Sequence, residues 1–176
     1  MKVAVIGAGT MGSGIAQTFA QAEIVDTVYL CDIKQEYADG GKAKIQKGLD
    51  KKVAKGKATQ EEADKIVGKI KTGLNEICTD ADLVVEAALE VMDIKKNCFK
   101  ELQENIVKNP DCIYASNTSS LSITEIGSGL AKPIIGMHFF NPAPVMKLVE
   151  VIAGINTPAE MVEKVKEISV QLGKTP

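Results

Sequence analysis

A doubly wound, mainly parallel α/β sheet is the fold this 176-residue sequence predicts. Three observations carry that expectation. Short apolar runs of strand length alternate with amphipathic stretches of helical length almost throughout. The strand runs are apolar enough to be covered on both faces, as in parallel sheets. A glycine cluster (Gly7, Gly9, Gly12 and Gly14) stands where the first strand should end and the first helix begin. Glycine costs a helix about 1 kcal/mol against alanine, so a gain must offset it there.

In order, strands are expected at 2–6, 27–31, 82–86, 112–115, 134–139 and 147–152, and helices at 10–22, 93–107 and 158–172. The last helix carries Met161, Val165, Ile168 and Leu172 on one face. Its start, Thr157-Pro158-Ala159-Glu160, reads as a capping box with proline in the first helical position. Residues 35–72 break the alternation and read as a helical hairpin: Ile45, Leu49 and Val53 share a face, Gly56 marks the turn, and Thr59-Gln60-Glu61-Glu62 restarts the chain as a second capping box. One domain over 1–176 fits the length.

Composition narrows the function classes. Hydrophobic residues make up 45%, and a formal charge of -2 gives no global attraction to nucleic acid or an anionic membrane. All 21 basic residues are lysine, and eight of them fall in residues 34–57, a run that a solvated surface would explain. Cys31, Cys78, Cys98 and Cys112 form no CxxC and read as buried free thiols of a reducing cytoplasm. With His138 as the sole histidine, no zinc site is expected. Neither a signal peptide nor a membrane-spanning stretch is apparent, so a soluble cytoplasmic protein is expected.

The glycines match G-x-G-x-x-G at Gly7, Gly9 and Gly12, with Thr10 and Met11 inside the motif. After a strand and before a helix, this pattern predicts a Rossmann dinucleotide site: Gly7 for the tight turn, Gly9 for the approach of a pyrophosphate, Gly12 for close helix–strand packing. The helix N-terminus would offer N–H groups and the positive dipole end to the phosphates. Asp32 ends the second strand twenty residues after Gly12, where a carboxylate accepts ribose hydroxyls. A 2′-phosphate would meet that carboxylate with no arginine to offset it, and Lys34 could compensate only in part. NAD is therefore expected over NADP.

In "IIGMHFFNPAPVMKLVEVI", His138 and Glu150 each sit in an apolar strand, six residues either side of Pro144. If the strands fold back antiparallel around Asn141-Pro142-Ala143-Pro144, the two become cross-strand neighbours. A carboxylate beside an imidazole orients the ring and suits it to acid/base work. A satisfied core histidine and a solvated glutamate are the plainer alternative. "ASNTSSL" (115–121) follows a strand and could hold a carbonyl oxygen, or could serve as a helix cap, since Ser122-Ile123-Thr124-Glu125 reads as another capping box. Glu86 and Glu90, ending "DLVVEAALE", could contact a cofactor or cap the next helix.

Together "VIGAGTMGSGIAQTFA", "DLVVEAALE", "ASNTSSL" and "GMHFFNPAPVMKLVEVI" resemble the short-chain L-3-hydroxyacyl-CoA dehydrogenases, the bacterial 3-hydroxybutyryl-CoA enzymes in particular, over the whole chain. The resemblance implies an NAD-binding domain with an inserted helical hairpin. It also implies NAD-linked interconversion of (S)-3-hydroxybutyryl-CoA and acetoacetyl-CoA in butyrate or fatty-acid metabolism. It assigns His138 as the acid/base, Glu150 as its partner, Ser119 to the substrate 3-oxygen and Asn141 to the same site. Asp32, Glu90, Lys95 and Asn117 match cofactor contacts, and Lys52, Lys55 and Lys57 lie where the family holds coenzyme A. Family members continue into a helical domain that supplies a catalytic asparagine and the dimer contact. That domain is absent from 1–176, so little activity is expected of this chain alone. A non-catalytic NAD(H)-binding module, and a same-fold dehydrogenase acting on a hydroxyacid without coenzyme A, are the competing readings.

Overall fold

The computed structural model describes all residues, 1–176. Its seven-stranded sheet has the order β3-β2-β1-β4-β5-β6-β7, formed by β1 (Lys2–Ile6), β2 (Thr27–Cys31), β3 (Ile70–Gly73), β4 (Leu83–Glu86), β5 (Ile113–Ser116), β6 (Ile134–Phe139) and β7 (Val149–Ala153). The pairs from β3 to β6 are parallel, and β7 alone runs antiparallel, against β6. The strand order reverses between β2-β1 and β4, which opens a crevice at the carboxyl ends of β1 and β4.

Alternation along the strands sends side chains to two separate cores. Val3, Val5, Val28, Leu30, Leu83 and Val85 pack with α1 (Thr10–Gln21), α2 (Gln35–Ala54), α3 (Gln60–Gly68) and α6 (Ala159–Gln171) in a cluster of 26 buried residues. Ala4, Ile6, Tyr29, Val84 and Tyr114 face α4 (Met92–Glu101) and α5 (Ile123–Gly127) in a second cluster of 16. The strands are apolar on both faces because each face has its own helical layer.

Three local expectations need correction. Residues 70–73 are not the end of the helical hairpin. They form the edge strand β3, paired in parallel with β2. The segment "IKTG" hides this because an edge strand of four residues has only Ile70 and Gly73 to bury. The helix expected over 93–107 ends as regular α-helix at Glu101 and continues over 102–106 as a wider π turn. The capping box at Thr157 does not form. The Thr157 hydroxyl donates to the Ile134 carbonyl and accepts from Gly154 N–H, tying the loop before α6 to β6 instead. At Thr59, by contrast, both bonds of the box are made.

Candidate active site

The glycine loop joins β1 to α1, and its glycines have different steric reasons. Gly7 has φ +102°, and a Cβ there would lie 2.5 Å from the Ala87 carbonyl oxygen. A Cβ on Gly12 would lie 1.7 Å from the Gly7 oxygen. A Cβ on Gly9 would meet nothing within 4 Å. Gly7 and Gly12 are thus demanded by the fold, whereas Gly9 leaves open the space beside the helix start. That helix has no side-chain cap and no acid in its first turn, so its N–H groups and dipole end are left to an anion. The residues present fit the pyrophosphate of a dinucleotide.

Asp32 stands at the end of β2. Its carboxylate accepts Ala8 N–H at 2.8 Å and Ile33 N–H at 2.7 Å, which locks the glycine loop to the neighbouring strand and leaves further lone pairs for ribose hydroxyls. Gly41, in α2, completes the packing: a Cβ there would stand 2.9 Å from the Ala8 Cβ. The signal for Gly41 in the sequence is slight, a glycine pair Gly40-Gly41 early in a helix.

On the other side of the crevice, Glu86 is fully buried at the end of β4. It accepts the Lys95 ammonium and Ala88 N–H, each at 2.7 Å, on one oxygen and the Ser116 hydroxyl, at 2.6 Å, on the other. Lys95, expected at the cofactor, is 1% exposed and engaged in this ion pair. Glu90 is exposed and accepts the hydroxyl of Thr118, whose oxygen also caps Leu121 N–H. Asn117 places its side-chain oxygen 2.8 Å from Phe139 N–H, bridging the ends of β5 and β6. Ser119 follows in the same loop and is exposed.

His138 pairs with Glu150 across β6 and β7, the register expected from their equal spacing about Pro144. The imidazole Nδ1 lies 3.6 Å from the Glu150 carboxylate and is buried without a hydrogen-bond partner, while Glu150 remains 49% exposed. The distance exceeds a hydrogen bond of about 2.7–3.2 Å but is within ion-pair reach. Phe140 lies against the ring, with centroids 4.6 Å apart. Asn141, exposed at the start of the β6–β7 loop, lines a cavity with Thr10, Gln17 and Lys44 of α1 and α2. Lys52, Lys55 and Lys57 are exposed at the hairpin tip, and Lys52 and Lys57 line a second cavity with Gln21 and Lys65.

Residues 2–176 match the family of the 3-hydroxyacyl-CoA dehydrogenase NAD binding domain. The chain belongs to this family. A 3-hydroxybutyryl-CoA dehydrogenase of Clostridioides difficile is 47% identical over 100% of this chain and 62% of its own length. The crystal structure of 3-hydroxybutyryl-CoA dehydrogenase from Escherichia coli K12 superposes with a TM-score of 0.94 at 41% identity, covering 100% of this chain and 37% of that one. That of (S)-3-hydroxybutyryl-CoA dehydrogenase from Ralstonia eutropha gives 0.92 at 38% identity, covering 99% and 62%. The chain therefore spans less than two thirds of the length of these relatives. NAD is the cofactor this dehydrogenase domain is built to hold, and no helix in it is long and apolar enough to cross a membrane.

Proposed function

We propose that this dehydrogenase domain serves the NAD-dependent interconversion of (S)-3-hydroxybutyryl-CoA and acetoacetyl-CoA. The observation that carries the reading is the His138–Glu150 pair at the carboxyl end of β6, with β4 and β5 between it and the strand β1 that leads into the glycine loop. In the oxidative direction, the bound dinucleotide supplies a hydride acceptor for the substrate C3. His138 Nε2, on the ring edge away from Glu150, takes the hydroxyl proton. Glu150 steadies the resulting imidazolium, and Ser119 and Asn141 hold the oxygen on which charge changes. NAD is favoured over NADP because Asp32 occupies the ribose position and the sequence holds no arginine.

Coenzyme A is supported by the placement of the lysines. Lys44 lies at the cavity that Asn141 lines, and Lys52 follows two helical turns along α2, about 12 Å further at 1.5 Å per residue. A thioester near His138 with its phosphates toward Lys52, Lys55 and Lys57 suits an elongated, polyanionic substrate. A hydroxyacid without coenzyme A would have no use for that spread of charge. We further place the protein in the cytoplasm, as its free thiols suggest. In a protein of the relatives' length we expect a helical C-terminal part to supply the other wall of the site and the contact between subunits.

The test is NADH and NADPH titration of residues 1–176, with steady-state NADH oxidation by acetoacetyl-CoA and by free acetoacetate. The measurements are made on this chain and on one extended to the relatives' length. Tighter NADH binding, with CoA-dependent turnover mainly in the longer protein, is expected. Equal affinity for both dinucleotides would remove the role given to Asp32, and turnover of acetoacetate alone would overturn the coenzyme A reading.

A further inference from the structure

Lys174 is a buried lysine that the proposed chemistry does not use. It is 7% exposed, and its ammonium donates to the carbonyl of Ala143 at 2.6 Å and to that of Met146 at 2.7 Å, with no carboxylate in ion-pair reach. Burial, with Lys147 nearby, holds its pKa below the ordinary lysine value. A desolvated cation is costly, and this one sits at a particular place: both carbonyls belong to the loop between β6 and β7, the loop that carries Phe140 and Asn141.

The approach of Lys174 is itself built. Helix α6 ends with Gly173 at φ +76°, Gly173 N–H on the Val170 carbonyl and Lys174 N–H on that of Ser169. These are the paired bonds of a Schellman stop, and they turn the chain under the loop. Thr175 then stitches the same segment to the hairpin: its N–H donates to Lys147 and its carbonyl accepts from Val149, the residue before Glu150. From the opposite side the loop rests on α1, where a Cβ on Gly14 would come within 3.3 Å of Pro144. Gly14, the fourth glycine of the opening motif, makes room for this loop. The loop is therefore held between the cofactor helix and the end of α6.

We propose that Lys174 is a positioning residue for the reacting centre: by gripping Ala143 and Met146 it fixes the loop that carries Asn141 and keeps the Phe140 ring against His138. This rests on the reading of His138 and Asn141 as that centre. Because His138 is the only histidine, its imidazole proton resonances report the Phe140 contact without substrate or turnover, so a chain inactive on acetoacetyl-CoA still tests the clamp. Lys174→Met is expected to displace or broaden the His138 signals, and Lys174→Arg to restore them. NADH affinity should stay within about twofold, since the Lys174 ammonium bonds Ala143 and Met146 and none of Gly7, Gly9 or Gly12. Thr59→Ala, which weakens a distant cap, should leave the His138 signals in place. Wild-type His138 signals in Lys174→Met, with only a lower Tm, would overturn the proposal and leave Lys174 as a fastener of α6. If the Met variant does not fold, Lys174→Gln decides alone: displaced signals support the clamp and wild-type signals overturn it.

Discussion

At His138 the free protein holds an imidazole nitrogen that is buried, unbonded and 3.6 Å from a half-exposed carboxylate. A buried polar atom without a partner is costly, and the shortest remedy is for Glu150 to close on the ring when substrate shields it from water. Turnover in the extended protein should therefore depend on both residues, but unequally. His138→Gln is expected to lower kcat by about 10²–10⁴-fold, the usual share of a positioned acid/base. Glu150→Gln should cost less, because the ring stays and loses only its charged partner. NADH affinity should be nearly unchanged in both, since neither side chain belongs to the glycine loop. Parallel kinetics and NADH titrations check this, and a loss of affinity that tracks the loss of rate would mean a folding defect. The spacing of His138 and Glu150 in the sequence was enough to place them opposite each other. The burial of Lys95 was not legible, because its partner Glu86 lies on another element and shows itself only when β4 and α4 pack.

Among the elements, the join of β1 and α1 separates what folding needs from what binding needs. Gly9 has φ −73°, which alanine adopts freely, and open space where a methyl would go. Gly9→Ala should leave Tm unchanged while weakening NADH binding, because the added methyl occupies the approach of the pyrophosphate. Gly12→Ala puts a methyl 1.7 Å from the Gly7 oxygen, so the loop itself must move and both Tm and binding should fall. Thermal melts with NADH titrations of the two variants decide it, and equal loss of Tm in both would refute the distinction. The parallel order and the antiparallel β6–β7 pair could be read ahead because their signals are local: apolar runs, glycine spacing, a proline-rich turn. Edge strand β3 could not, since Lys71 is exposed, Thr72 is polar and bonded to Asp39 of α2, and the evidence for the strand is its partner β2. Thr157 failed as a cap for a related reason: contacts outside the helix hold its hydroxyl, whose oxygen accepts Gly154 N–H and whose hydrogen goes to the Ile134 carbonyl.

Across the whole molecule, the four cysteines, far apart in sequence, converge on one side of the sheet: Cys31, Cys78 and Cys112 within the core beneath α4 and α5, and Cys98 packed against it. Burial pushes the Cys98 and Cys112 thiols up to about 12 from an ordinary 9.0, and burial with the Asp80 contact raises the Tyr29 hydroxyl to about 12. The sign follows from proton counts. Above pH 9 the unfolded chain releases its thiol protons while the folded protein keeps them, so the folded state binds more protons and stability falls as pH rises. The contribution is intact below pH 9 and is lost toward pH 12, at up to about 1.4 kcal/mol per pH unit for each thiol. Lys69 and Lys174 act oppositely: burial lowers their pKa values, so the unfolded chain holds more protons in the window that closes at 10.5. Comparing two proteins that share these lysines cancels that opposing effect. Urea unfolding of wild type and Cys112→Ala from pH 8 to 10.5 should show a shallower alkaline decline in the variant, whatever its starting stability. Parallel declines would mean that Cys112 ionises in the folded state as readily as in the unfolded one, and that this core is open to water.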